Sequence, residues 1–340
     1  HTEVLLAEVL IVGPLRAPAW WPGRTGALPF YEGFDVAVAP PTGDLFAAAA
    51  FAIVQPDGEG GTKVRRGEDW RRSGHNATVA TDDVPTHHTV QDFASLANAF
   101  IRAGHSTAVL GHDLHAAYRQ FPVREPGHNG LLLGTPDGPT LWLHMAMCFG
   151  AAASVWNFNR AADALQQLLR VLLLLAAGHF VDDFTAIEDA LAADSAFSAF
   201  QDLFGLLGMR VKPSKAQPPA DRHVVQGVLF QIVRGGVSLR PTDERVANVG
   251  ATVAAALSAN ALSPSVAEKL AGRLAFLTQA VFGRLGRAAL VPIYARAHDM
   301  AANVDDALNS GLAAALRSVI AILDHLRPKV VYANPRPGVF

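Results

Sequence analysis

The sequence has a single cysteine, Cys148, which excludes an internal disulfide framework and a cysteine-rich zinc site. That scarcity suits a reducing compartment, so an intracellular location, cytoplasm or nucleus, is expected. Charge is sparse too. Only 17% of residues are charged while 50% are hydrophobic, which excludes a disordered polar chain. No sign of charge dominates, because the formal net charge is −2. The chain as a whole is therefore no obvious polyanion binder, and attraction for phosphates must come from local patches. A long apolar run is missing: the most apolar stretch, Val171 to Ala177, spans seven residues, against roughly 18 to 20 needed to cross a bilayer. No membrane partner is expected. The early apolar stretch Val4 to Leu15 is broken by Glu8 and has no basic lead, so it is a poor signal peptide. The chain opens on His1 rather than Met, and a processed or excised piece is the expectation. No repeat at a solenoid period is visible.

What is present has a mixed pattern. Residues 1–44 are rich in Pro, Gly and Trp and are expected to form an irregular arm. Leu45 to Gln55 is apolar and suits a strand or a short helix, and Pro56–Gly61 has turn composition. Apolar residues at helical spacing predict a helix over Thr89 to Ala103. Ala108 to Leu110 reads as a strand leading into Gly111-His112-Asp113, and Leu131–Leu133 with Leu141–Leu143 as a hairpin around a Gly/Pro/Asp cluster. A long helix is predicted from Ala151 to Ala177, stopped by Gly178. His179 to Ile187 reads as strand, turn, strand, with Asp182-Asp183 between apolar pairs. A helix over Ala190 to Leu207 follows, then two short strands, Val224–Val233 and Val237–Leu239. From Pro241 the pattern is helical, with helices at Thr242–Leu257, Ser263–Gln279 and Gly311–Leu326. Mixed strands and helices followed by a helical tail predict an α+β core with an appended helical subdomain.

The acidic residues on apolar strands call for an explanation. Adjacent carboxylates in such a place repel one another and are costly to desolvate unless a cation neutralises them. Mg²⁺ prefers oxygen ligands and is held through one or two carboxylates plus substrate phosphates. Asp113 on one strand and Asp182-Asp183 on a turn, meeting at one sheet edge, would supply such a site. Asp-Asp is also ordinary turn composition, and Asp82-Asp83 beside Pro85 is read that way. His112, His115 and His179 raise the thought of zinc, but side chains alternate along a strand, so His112 faces away from Asp113.

The order of these segments resembles the reverse transcriptases, especially those of retroelements. Asp113-Leu114-His115-Ala116-Ala117-Tyr118 is similar to the family's first palm motif. Cys148-Phe149-Gly150 through Arg160 is similar to its Phe-Gly motif, and Phe180-Val181-Asp182-Asp183 to its aromatic-X-Asp-Asp signature. Val211-Lys212-Pro213-Ser214-Lys215 resembles the lysine segment near the polyphosphate. Val225-Gln226-Gly227-Val228-Leu229 resembles the primer grip, and Lys63 to Asn76 the basic fingers segment. Val155 stands where many relatives carry Pro, and Phe180 where Tyr is usual; both keep apolar bulk.

The resemblance implies a right-hand polymerase with fingers, a palm of antiparallel sheet plus helices, and a helical thumb. Its expected boundaries are an arm at 1–44, fingers at 45–92 and 122–147, palm at 93–121 and 148–235, thumb at 236–326, and a tail at 327–340. It implies an RNA-directed DNA polymerase using two Mg²⁺ ions, with Mn²⁺ as a substitute, held by Asp113, Asp182 and Asp183. The implied partners are an RNA or DNA template with its primer, and dNTPs. Lys63 and Arg65 would meet the triphosphate, Tyr118 would exclude a 2′-hydroxyl, Phe149 and Gly150 would border template and nucleotide, and Lys215 would lie by the polyphosphate. Two alternatives stay open: an inactive nucleic-acid-binding protein of the same fold, and a metal-dependent nuclease. The sequence leaves oligomeric state open.

Overall fold

A computed structural model describes residues 9–14, 27–29, 35–37, 47–56, 61–79, 85–135, 138–277, 287–298 and 305–334. In chain order its strands and helices are β1 (Val9–Pro14), β2 (Ala27–Pro29), β3 (Asp35–Ala37), β4 (Ala47–Pro56), β5 (Thr62–Glu68), α1 (Val90–Arg102), β6 (Thr107–Asp113), β7 (Gly130–Thr135) and β8 (Gly138–His144). There follow α2 (Ala152–Leu172), β9 (Ala176–Phe180), β10 (Asp183–Asp189), α3 (Ala193–Leu206), β11 (Gln217–Ala220), β12 (Arg222–Val225), β13 (Val228–Val233) and β14 (Gly236–Pro241). The last are α4 (Asp243–Ala259), α5 (Pro264–Leu277), α6 (Arg287–His298), α7 (Ser310–Asp324) and β15 (Lys329–Tyr332). The architecture is mixed α+β, as the pattern predicts. Of the expected arm only β1 to β3 are described, and Asp82-Asp83 and most of the 56–61 turn lie outside the described residues.

The chain divides into two compact units. The first holds His1–His87, Asp113–Leu168 and Leu203–Lys212; the second holds His88–His112, Leu169–Asp202 and Pro213–Phe340.

In the first unit a five-stranded sheet has the order β1-β8-β7-β4-β5. β4 is rich in Ala, a residue that favours helix. Pairing decides otherwise: β4 lies parallel to β7 on one side and antiparallel to β5 on the other, with Ala48 buried. Ala48 packs with Trp70, Cys148 and Ala151.

The second unit has two four-stranded sheets, β11-β6-β10-β9 and β12-β13-β14-β15. Helix α1 begins at a capping box in which Asp92 accepts from the Thr89 amide at 2.7 Å. Its buried face (Val90, Phe93, Ala94, Ala97) joins Val109 and Ile187 of the first sheet and Val225, Phe230, Val237 and Leu239 of the second in one core. β6 and β10 are neighbours. The Ala190 amide donates to the Ser106 carbonyl at one end. Near the other, a Cβ on Gly111 would lie 2.7 Å from the Phe184 carbonyl. The two strands are therefore antiparallel. Helices α4 to α7 bury Val249, Val253, Leu270, Leu274, Ile293 and Leu316 in a core of their own.

Three expectations need correction. The helix expected to run to Ala177 ends at Leu172. Leu174 takes a left-handed φ of 54°, and Ala176–Phe180 becomes edge strand β9, paired with β10 from Ala176↔Ile187 to Phe180↔Asp183. Arg170 Nε donates to the Ala177 carbonyl at 2.8 Å, satisfying an acceptor on that edge. Gly178 is thus no helix stop: a Cβ there would lie 2.8 Å from His88 Cγ and 3.0 Å from the Phe93 ring. The single strand expected over Val224–Val233 is two, broken at Gln226-Gly227, where φ is 51° and 75°. Periodicity does not reveal helix α6, because Pro292 inside it masks the pattern. The expected tail contributes β15, which pairs with β14.

Candidate active site

In the second unit the turn between β9 and β10 carries the two adjacent carboxylates. Phe180 pairs with Asp183, so Val181 and Asp182 form a two-residue loop. Such loops require a left-handed first residue, ordinarily Gly or Asn. Here it is Val181, with φ 55°. A β-branched residue in that region costs on the order of 1–3 kcal/mol and persists only where its surroundings hold it. What holds it is visible. His179 is fully buried, its ring stacked on Phe184 at 5.3 Å, and its Nδ1 lies 3.2 Å from the Val181 carbonyl. A carbonyl only accepts, so Nδ1 carries the proton. Asp182 and Asp183 are half-buried and offer oxygen ligands.

Asp113 is the last residue of β6 and is half-buried. In the first unit its carbonyl accepts from the Lys212 amide at 2.8 Å, and Leu114 bridges to Val211. The segment after the aspartate is therefore clasped to the backbone of residues 210–212. Lys215 is exposed on the short turn Pro213–Lys215 of the second unit.

The first unit brings together Tyr118, Phe149 and Gly150. The Tyr118 ring lies 5.1 Å from Phe149 and 5.0 Å from the buried Phe158, so an edge-on aromatic stack supports it. Phe149 is 46% exposed. Gly150 has φ 82°, a conformation side chains rarely adopt. The loop is pinned from behind. Trp70 Nε1 donates to the Phe149 carbonyl at 3.0 Å, and Asn76 donates to the Gly150 carbonyl while accepting from the Ala152 amide at 2.8 Å. Asn76 thereby satisfies an orphan amide at the start of α2.

The expected basic run is split by the structure. Lys63 is exposed on β5, opposite Gln55, and Arg65 stands opposite Ile53 on the same strand. Arg66 turns inward, with Nε 2.9 Å from Glu68 Oε1. Glu68 is the centre of a buried polar cluster. Arg119 approaches it at 3.5 Å, His144 Nε2 at 3.1 Å, and Trp70 Nε1 donates to its other oxygen at 3.0 Å. Burial alone would raise the Glu68 carboxyl, but His144 and the two guanidinium groups outweigh it and hold it below its ordinary range. Burial, aided by Arg119, depresses His144. Burial pushes the Cys148 thiol up to about 12.

Glu68, His144 and Cys148 place one ligand atom each within 4.8 Å of one another, a donor set able to hold a metal ion. Arg66 and Arg119 already neutralise the carboxylate, and the thiol is far from ionising, so a cation would compete with two fixed charges. Sequence order hides this cluster, because Glu68 ends β5, His144 ends β8 and Cys148 lies in the loop beyond. His112 is a core residue: it is buried, stacked on Phe197 at 4.3 Å, with Nε2 3.2 Å from the Phe197 carbonyl. His115 is exposed.

No family model matches the chain, and no curated protein matches it. Solved structures do. A foamy viral protease-reverse transcriptase in complex with double-stranded DNA is 14% identical with a TM-score of 0.59, covering 82% of this chain and 44% of that one. The foamy viral protease-reverse transcriptase with an RNA/DNA hybrid is 15% identical with a TM-score of 0.57, covering 82% of this chain and 33% of that one. A further complex with double-stranded DNA is 15% identical with a TM-score of 0.56, covering 86% and 54%. The fold is therefore reverse-transcriptase-like, and the chain spans about a third to a half of the length of these structures. No helix among the described residues is long and apolar enough to cross a membrane.

Proposed function

We propose that the chain is the polymerase region of a retroelement reverse transcriptase, which adds dNTPs to a primer 3′-hydroxyl on an RNA or DNA template. The observation that carries this reading is the sheet β11-β6-β10-β9. Its β9–β10 turn bears Asp182 and Asp183, and β6, the antiparallel neighbour of β10, ends in Asp113. The likeness of fold to the foamy viral structures supports the same reading.

The reading calls for two Mg²⁺ ions, with Mn²⁺ as a substitute. The donor set fits: half-buried carboxylate oxygens suit a hard cation that keeps part of its water, whereas the thiol and imidazole beside Glu68 do not. Asp113 and Asp182 are the primary ligands in this proposal and Asp183 supports them. Held by these carboxylates, such ions would supply Lewis acidity that lowers the pKa of the attacking hydroxyl and positive charge that offsets the departing pyrophosphate. The chain's own residues do the rest. Lys63 and Arg65 neutralise the triphosphate. Tyr118, backed by Phe149 and Phe158, leaves no room for a 2′-hydroxyl. Gly150 lets the nascent base pair approach backbone rather than side chain. Lys215 lies by the polyphosphate and supplies a proton to the leaving group.

Residues 45–92 and 122–147 act as fingers, 93–121 and 148–235 as palm, and 236–326 as thumb. On the helices assigned to the thumb, Arg245, Arg273, Asn248, Phe276 and Glu244 line a cavity of about 290 Å³, where two guanidinium groups against one carboxylate favour a sugar-phosphate backbone. The working location is intracellular. The test is extension of a primer annealed to RNA, with Mg²⁺ and dNTPs. Extension supports the proposal; degradation of the strands without extension favours the nuclease reading, and duplex binding with neither favours an inactive binding protein.

A further inference from the structure

We infer that His179 is a positioning residue for the Asp182-Asp183 turn, and that Gln226 braces it from a distant turn through the backbone of His88. This rests on the polymerase reading above. The path lies wholly within the second unit. Gln226 Nε2 donates to the His88 carbonyl at 2.6 Å. The His88 amide donates to the His179 carbonyl at 3.2 Å. His179 Nδ1 reaches the Val181 carbonyl at 3.2 Å, one residue before Asp182. Both ends sit on strained backbone: Val181 and Gln226 are non-glycine residues with φ of 55° and 51°. Strain of this kind survives only where neighbouring contacts over-determine it.

The middle of the path is tightly set. A Cβ on Gly178 would collide with His88, so that strand and the His88 segment are in direct packing. Arg170 holds both, with its Nε on the Ala177 carbonyl at 2.8 Å and its Nη2 3.2 Å from His88 Nε2. The His179 ring stacked on Phe184 ties the start of β10 to the same support. Displacing the Val181 carbonyl would therefore move the backbone that carries both carboxylates. Gln226 belongs to the Val225–Leu229 hairpin, so the path joins that hairpin to the carboxylate turn.

The test uses the whole chain and two readouts, primer extension and Mn²⁺ binding followed by EPR of the free ion. His179→Phe keeps a flat ring over Phe184 but removes Nδ1; His179→Asn restores a donor near the position of Nδ1. The expected result for His179→Phe is a kcat lower by roughly tenfold to a hundredfold, weaker Mn²⁺ binding, and KM for dNTP and duplex affinity within about twofold of wild type. His179→Asn recovers most of both losses. Gln226→Ala, which changes no buried aromatic packing, gives a smaller loss of the same kind and carries the test if His179→Phe fails to fold, with Mn²⁺ binding as the deciding readout because Gln226 also lies in the segment likened to the primer grip. Unchanged kcat and Mn²⁺ binding in Gln226→Ala and His179→Phe overturn the inference, as does a His179→Asn variant no better than His179→Phe. A wild-type protein that neither extends primers nor binds Mn²⁺ overturns the polymerase reading itself, which separates the two failures.

Discussion

Single residues divide into those that face chemistry and those that hold them. In the proposed function Tyr118 belongs to the first group, and its ring is set by packing against Phe149 and Phe158. Tyr118→Ala is expected to raise ribonucleotide incorporation relative to deoxyribonucleotide by roughly tenfold to a hundredfold, read by competitive single-nucleotide extension. Glu68 belongs to the second group. It is a buried carboxylate with two guanidinium partners, so Glu68→Ala leaves those charges uncompensated and costs about 3–5 kcal/mol, measurable by denaturant unfolding. The same cluster sets a pH dependence. His144 and Glu68 both bind protons less readily when folded, so the unfolded chain takes up more protons as pH falls. Stability is then full above the ordinary imidazole value of 6.5 and declines below it, with a second decline below 4.5 as Glu68 is protonated. Cys148 works in the opposite sense: its folded value is raised to about 12, so stability is lost as pH rises above the ordinary 9.0. Thermal melts across pH check both arms, and Cys148→Ala removes the alkaline one.

At the scale of elements, the β6–β10 pairing matters most, and Gly111 is its tightest point. A methyl there would sit 2.7 Å from the Phe184 carbonyl, a backbone atom that cannot swing away. Gly111→Ala is expected to lower stability by about 1–3 kcal/mol in chemical denaturation and to lower extension more than duplex binding, because the strained pair is the one that carries the carboxylates. Much of this is legible in the sequence. The hairpin around Asp182-Asp183, helix α1, and the β7–β8 hairpin follow from periodicity and turn composition. The strand departures arise where pairing overrides local propensity. Val171–Ala177 looks helical until β10 supplies an edge for Ala176–Phe180, and the Ala-rich β4 is a strand only because β5 and β7 flank it. The pinning residues leave no sequence signal because their partners are distant and mostly backbone atoms. Trp70 reaches 79 positions to Phe149, and Asn76 reaches 74 and 76 positions to Gly150 and Ala152. The Glu68 cluster is hidden in the same way, with 51 positions between Glu68 and Arg119. His179 is visible in the sequence but suggests a metal ligand, since nothing local reveals that its nitrogen faces a carbonyl.

For the whole molecule, net charge is nearly balanced at −2, so binding of a nucleic acid must rest on local cations such as those around the thumb-assigned cavity. Affinity for a primer–template duplex is expected to fall steeply with salt, and Arg273→Ala to weaken it evenly across sequences while reducing the salt slope by about 1. Fluorescence anisotropy across a salt series reads both. The central claim is that the carboxylates of the β9–β10 turn perform metal-dependent nucleotidyl transfer on a reverse-transcriptase-like fold. Its most direct test compares wild type and Asp182→Asn in primer extension on an RNA template with Mg²⁺ and dNTPs, with duplex affinity measured alongside. The account predicts extension by wild type, a loss on the order of a thousandfold in the variant, and duplex affinity that stays close to wild type. Extension by Asp182→Asn at the wild-type rate, or a folded wild type that extends no primer, would contradict it.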